Sequence, residues 1–262
     1  MTLLGTRARD GAFARINPVA KLGASALIAV PLVLTLDIVS AATALLLELA
    51  LFPFVGLGWR EFWTRTWPVW IAAPLTALTI ALYGQAAGDV LFEWFVVRVS
   101  EGSLTLATAT FFRVLAIALP SVVMFVTVDP TDLADGLGQV LRLPARFVMG
   151  SLAGLRMVGL FLDDWRALEL ARRARGVANR GRIRRFLGMA FALLVLSIRR
   201  GSKLATAMEA RGFGAPGRRT WARESRFGAR EWALMCVGAV IAATAVCAAV
   251  LAGTWNFILG PG

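Results

Sequence analysis

Histidine is absent from this 262-residue chain, and there are only two cysteines and one tyrosine. The missing imidazole removes the commonest general base and metal ligand. Cys236 and Cys247 lie eleven residues apart in one apolar stretch. On a helix they share nearly one face at a separation of ~16 Å, too far for an intrachain disulfide. Their composition suits two small hydrophobes buried in a helix, and metal or redox chemistry has almost nothing to work with. Acids are also scarce, 16 against 28 Lys and Arg. Asp163-Asp164 is the only adjacent acid pair. With no further acids or phosphate-binding glycines nearby, it reads as a structural element pairing with Arg166 or Arg156 rather than a Mg²⁺ site.

What the chain has in abundance is apolar sequence, 58% of residues, with only 17% charged and a mean hydropathy of +0.70. That composition belongs to an all-α polytopic membrane protein. The charge is concentrated: residues 166–230 hold 17 Arg or Lys against three acids (Glu169, Glu209, Glu224), whereas the remainder holds 11 against 13. A segment this basic stays in the cytoplasm. Lying between membrane spans, it faces anionic lipid or an acidic protein surface rather than nucleic acid.

The first apolar run, Leu22 to Leu36, follows Arg7, Arg9, Arg15 and Lys21 and could pass for a signal peptide. A second run, Ile38 to Leu57, follows almost at once, so the two read as a retained hairpin of spans turning near Asp37. Arg60 and Arg65 mark a cytoplasmic loop, where Trp59, Trp63, Trp67 and Trp70 form an interfacial belt. A third span covers about Trp67 to Tyr83, with Pro68 in its first turn and Pro74 as a kink. Gly84 to Gly102 reads as an external connection with a short amphipathic piece. The fourth span, about Leu104 to Val128, carries Arg113 and Pro120, so part of it faces protein. A short helix starts at Asp129-Pro130 and stops at Leu143-Pro144. Two long helical patterns follow, about Ala145 to Arg175 and Ile183 to Arg211. The last span runs from about Glu231 to Phe257, bracketed by Trp232 and Trp255.

These patterns predict one membrane domain: spans 1–4 in residues 1–128, a cytoplasmic helical segment in 129–230, and a last span with an external C-terminus in 231–262. The count is five, or seven if residues 147–162 and 186–198 enter the membrane as a hairpin. The N-terminus is cytoplasmic on either count.

Both long helices end in the same tripeptide, Ala174-Arg175-Gly176 and Ala210-Arg211-Gly212. Arginine presents a planar fork of donors suited to carboxylates and to the carbonyls at helix ends. A preceding alanine lets another backbone come close, and a following glycine can take the left-handed conformation that stops a helix. Two helix tips so built, separated by ~43 Å of helix, can reach two pockets on a dimeric partner. The same residues also serve positive-inside retention and helix capping, so spacing by itself does not name the partner.

The chain resembles the transmembrane T component, of the EcfT/CbiQ type, of energy-coupling factor transporters, which are ATP-driven micronutrient importers. The residues that carry the resemblance are Asn17-Pro18-Val19-Ala20-Lys21-Leu22, the Thr127-to-Pro144 stretch, and Leu155-Arg156 through Gly176. The strongest is Lys203-Leu204-Ala205-Thr206-Ala207-Met208-Glu209-Ala210-Arg211-Gly212-Phe213-Gly214. The resemblance implies that Arg175 and Arg211 anchor in grooves of two ABC-type ATPase subunits. Ala174, Gly176, Ala210 and Gly212 would shape the helix ends, with Glu169, Arg172, Arg173 and Glu209 in support. It also implies a small substrate-binding membrane subunit (the S component) as a further partner. ATP would be bound by the partners, and this chain would carry neither cofactor nor catalytic residue. The nutrient, a vitamin or cobalt or nickel ion, would be chosen by the S component. The arginine-rich flank Arg180 to Arg185 departs from that pattern.

Two other readings start from single features. Leu141-Arg142-Leu143-Pro144 echoes the end of the coupling loop in permeases of ordinary ABC importers, but the Glu-Ala-Ala element of that loop is missing. Glu48, with Arg113 as its partner, is the only carboxylate placed as a stand-alone secondary transporter would want it.

Overall fold

In the computed structural model, residues 13, 15–56, 58–84, 88–94, 97–176, 181–215, 220–221 and 223–255 are described. Arg7, Arg9 and Arg180 lie outside them, as does 256–262 in the expected external C-terminus. The described chain is helical apart from one two-stranded hairpin and falls into two units, one comprising Arg7–Leu133 with Arg226–Gly262, the other centred on Ala134–Ser225.

The first unit is a bundle of α1 (Pro18–Leu34), α2 (Ile38–Leu51), α3 (Trp59–Tyr83), α4 (Glu101–Val126) and the last helix, α8 (Ala229–Leu251). α1 begins as its sequence dictates. Asn17 caps it by accepting from the Val19 N–H at 3.0 Å, and Pro18 occupies the first turn, where no N–H is needed. The turn into α2 is held by Asp37, whose carboxylate accepts from the Ser40 N–H at 2.7 Å and the Ser40 hydroxyl at 2.6 Å. α1 packs on α8 and α4, α2 on α4 and α8, and α3 on α4. Ile28, Leu32, Leu45, Phe62, Leu115 and Ile241 meet at the centre. Outward faces stay apolar, as at Leu46, Ile71, Leu75 and Val240. A bundle that is apolar both inside and outside is built for lipid.

Several expectations need correction here. The four tryptophans stand on α3 itself rather than in a loop, and Trp63 meets Trp59 at 5.9 Å and Trp70 at 5.4 Å between ring centroids. Their spacing of four, four and three residues keeps them on one helical face. Pro68 is therefore interior to α3 rather than in its first turn. The connection to α4 contains an antiparallel hairpin, β1 (Val90–Trp94) with β2 (Val97–Ser100), where an amphipathic piece was expected. Cys236 and Cys247 are exposed on α8, not buried. α8 ends at Leu251, so Trp255 lies past the helix it was expected to bracket.

Five helical stretches are long and apolar enough to cross a membrane: Ile38–Val55, α3, α4, Ala145–Ala174 and α8. The number matches the expected five, but the membership differs. α1, with 17 residues or ~26 Å, is the shorter apolar helix. Ala145–Ala174 qualifies because its first 18 residues carry only Arg146 and Arg156.

The second unit holds α6 (Ala145–Ala174) and α7 (Arg182–Ala210), which match the expected long helices to within a residue. The end of α5 (Pro130–Gln139) is fastened to the returning chain. The Gln139 amide donates to the Arg223 carbonyl at 2.8 Å and accepts from the Ser225 N–H at 2.9 Å. Gly138 leaves room there for the Trp221 ring, from which a Cβ would lie only 2.5 Å away. Just beyond α5, Arg142 has φ +53°, the one non-glycine residue at positive φ among those described. That conformation costs roughly 1–2 kcal/mol for a residue with a Cβ, partly offset by the freedom glycine gains when unfolded. Arg142→Gly is therefore expected to stabilise the protein by ~0.5 kcal/mol. Thermal unfolding of the purified protein checks it; a lowered midpoint would contradict the assignment.

Candidate functional site: the ends of a helical hairpin

α6 and α7 form an antiparallel hairpin pinned at three places. Glu169 accepts from Arg173 on its own helix at 2.8 Å and from Arg185 on α7 at 2.9 Å. Asp164 takes a two-pronged bond from Arg200, at 2.7 and 3.3 Å. Trp165 meets Phe186 with ring centroids 5.6 Å apart. At the far end Arg146 donates to the Gly214 carbonyl. The acid pair is thus structural as expected, but Asp164 pairs with Arg200, not Arg156, while Asp163 takes Arg166 at 3.4 Å. The reason is tertiary: the antiparallel crossing brings residue 200 to residue 164, which no local spacing reveals. The Asp164–Arg200 pair is only partly exposed and two-pronged, so a double-mutant cycle with Asp164→Asn and Arg200→Gln should give a coupling of about 1 kcal/mol. A coupling near zero would show the pair to be incidental.

The two tripeptides end their helices in the same way. α6 stops at Ala174, with Arg175 as C-cap and Gly176 at φ +69°. α7 stops at Ala210, with Arg211 as C-cap and Gly212 at φ +73°. In α7 the Gly212 N–H donates to the Glu209 carbonyl and the Phe213 N–H to the Met208 carbonyl, both at 2.9 Å. This is the paired bonding of a Schellman cap, and the Gly176 N–H makes the matching bond to the Arg173 carbonyl at 3.0 Å. Only glycine enters that conformation without strain, which explains its place in both motifs.

The side chains divide by role. Arg173 and Arg185 share Glu169, and Arg200 is paired with Asp164. The Arg172 guanidinium lies across the hairpin beside Gly188. Glu209 is exposed on the last turn of α7. Arg175 and Arg211 are exposed, and neither guanidinium has a hydrogen-bond or ion-pair partner among the described residues. α7 is 29 residues long, so the two tips stand ~40 Å apart at opposite ends of the hairpin. Arg211 borders a groove of about 790 Å³ between α6 and α7, lined also by Met149, Arg156, Met157, Leu204 and Met208. Large apolar side chains remain exposed on both helices, among them Phe147, Val158, Phe186, Phe191 and Ile198. The hairpin therefore offers two free charged tips and an uncovered apolar face.

Sequence reasoning missed the polar features of the bundle. Lys21 is fully buried. It donates to the Thr127 carbonyl at 3.2 Å and hydroxyl at 3.1 Å, and sits 5.1 Å from the centre of the Phe13 ring. Glu231 accepts from the Asn17 N–H at 3.2 Å and from the Gly228 N–H at 2.9 Å, locking the start of α1 to the start of α8. The Asn-Pro and Lys landmarks are thus joints of the bundle, legible as residues but not as contacts. Glu48 and Arg113 do not pair: both Glu48 oxygens lack a partner, while Arg113 donates to the Thr35 carbonyl. α2 separates residue 48 from the Asp37 turn, where Arg113 is engaged, by ~16 Å.

The apolar helical bundle defines a multi-pass membrane protein, and the hairpin with its two exposed arginines is a candidate docking surface. Residues 13–221 match the model of the CbiQ family, described as cobalt transport protein, and the chain belongs to that family. Its relatives include energy-coupling factor transporter transmembrane proteins EcfT. That of Bacillus selenitireducens is 26% identical over 93% of this chain and 95% of its own length. Those of Limosilactobacillus fermentum (28%, covering 70% of this chain and 73% of the relative) and Streptococcus equi (26%, 79% and 81%) are similar. The chain is accordingly a multi-pass membrane component of the energy-coupling factor type.

Proposed function

We propose that this chain couples the motion of two ABC-type ATPase subunits to a separate substrate-binding membrane subunit. The observation that carries the reading is the pair of alike helix ends whose arginines have no partner among the described residues. A guanidinium held at a helix tip has already lost backbone freedom, so it docks into a carboxylate- or carbonyl-lined groove at reduced entropic cost. Two such tips ~40 Å apart suit one groove on each of two ATPase subunits. Glu169 and Asp164 fasten α6 to α7, so displacement of one tip is transmitted along the hairpin rather than absorbed. The exposed apolar face of the hairpin then meets the substrate-binding subunit.

In this reading the N-terminus and the hairpin are cytoplasmic and the C-terminus external. ATP is bound by the partners, and the present chain contributes no catalytic residue. The cargo is a micronutrient, a vitamin or a cobalt or nickel ion, chosen by the substrate-binding subunit. Cross-linking tests the geometry. In a background with Cys236→Ala and Cys247→Ala and both arginines kept, Ala171→Cys and Ala207→Cys, exposed one turn before Arg175 and Arg211, should each capture an ATPase subunit, and the two together should capture two. Capture from one position only would refute the two-groove arrangement.

A further inference from the structure

Glu48 stands one turn before the end of α2, only 6% exposed, with both carboxyl oxygens lacking a hydrogen-bond partner. It lines a half-open cavity of about 220 Å³ in the bundle, bordered by Phe13, Ile28, Phe52, Val123, Met124 and Ile241, with the exposed Phe54 at its rim. The wall is otherwise apolar, so the carboxyl is the single polar feature of an oily chamber. Leaving such a group unsatisfied costs roughly 1–3 kcal/mol, and more if it is charged. Nothing on α1, α4 or α8 that borders the chamber offers a donor.

Water is a poor occupant. A buried water is held by two to four polar partners, and here one carboxyl would have to hold every molecule. The complementary ligand has one strong donor and an apolar body. We propose that this chamber is a binding site for a small primary amine carried on an apolar group, its ammonium donating to Glu48. A dry cavity of about 150 Å³ accommodates benzene, so this one has room for a ring with a two-atom arm. The head group of an aminophospholipid fits less well, because its phosphate would enter a chamber with no donor to receive it. The site is built from residues of the bundle alone and stands whether or not the hairpin docks ATPases.

The test uses the full chain purified in dodecyl maltoside, with 2-phenylethylamine as probe and 2-phenylethanol as its neutral analogue, followed by equilibrium dialysis. Saturable binding of the amine is expected, weakened at least tenfold by Glu48→Gln, with the alcohol bound more weakly than the amine. Val123→Phe, which fills the chamber while leaving Glu48 in place, should abolish binding without loss of fold. This second variant keeps the test valid if Glu48→Gln misfolds. Three results would overturn the proposal: equal uptake by wild type and Glu48→Gln, uptake insensitive to Val123→Phe, or no saturable binding. The first two would assign the signal to micelle partition or an acyl chain.

Discussion

When Arg175 and Arg211 are both replaced by alanine, the protein should reach the membrane in normal amount while ATPase co-purification falls at least a hundredfold. Both side chains are exposed and have no partner among the described residues, so their removal breaks no described contact in the fold. Surface changes of that kind stay within about 0.5 kcal/mol of neutral. The loss falls on the complex. A hydrogen bond made by a charged donor contributes roughly 1.5–3 kcal/mol, so two anchors together are worth a hundredfold or more in affinity. Each single alanine should give an intermediate loss, because the remaining tip still holds one subunit. Lysine is not expected to rescue either position: it carries the charge but not the planar fork. Quantitative mass spectrometry of detergent-solubilised complexes, with membrane abundance measured alongside, separates docking from folding. Undiminished ATPase recovery would refute the docking role.

Gly238→Leu should be the most damaging single change within the bundle, costing about 3 kcal/mol. A Cβ at Gly238 would lie 3.0 Å from the Ala24 carbonyl oxygen and 3.2 Å from the Ala24 Cα. The neighbour is backbone, which cannot rotate out of the way. Ala20 and Ala24 on α1, and Ala242, Ala245 and Ala249 on α8, are likewise small and buried. In lipid no hydrophobic effect pulls helices together, so close backbone approach through small residues supplies much of their cohesion. A leucine at the crossing forces α1 from α8, and overpacking of this kind costs roughly 1–3 kcal/mol. Gly201→Leu is the control, because nothing lies within 4 Å of a Cβ there. Thermal unfolding in detergent should lower the midpoint for Gly238→Leu and leave Gly201→Leu nearly unchanged. Equal effects would remove the close crossing as the cause.

Local chemistry explains how much was legible in advance. The bounds of α6 and α7 could be read because their ends carry explicit stop signals, a C-cap arginine followed by glycine at positive φ. The start of α1 was legible for the same reason, through Asn17 and Pro18. Trp59 to Trp70 misled because tryptophan marks an interface without saying whether its backbone is loop or helix. Pro68 misled because a membrane helix tolerates an interior proline that a soluble one does not. The exposed cysteines have a similar origin: in a bilayer an apolar residue is as content facing lipid as facing the core. Asp164–Arg200 and the separation of Glu48 from Arg113 depended on tertiary placement, which no spacing encodes. The two arginines of the candidate site were legible as residues, and the structure adds their exposure and their lack of partners among the described residues.

The most direct measurement is affinity purification of the tagged protein from native membranes in mild detergent, with every co-purifying chain identified by mass spectrometry. The coupling account predicts two ABC-type ATPase subunits and one small apolar membrane protein in defined ratio to this chain. Recovery of the chain without any ATPase would contradict it and leave the arginine-tipped hairpin a device of topology and helix capping.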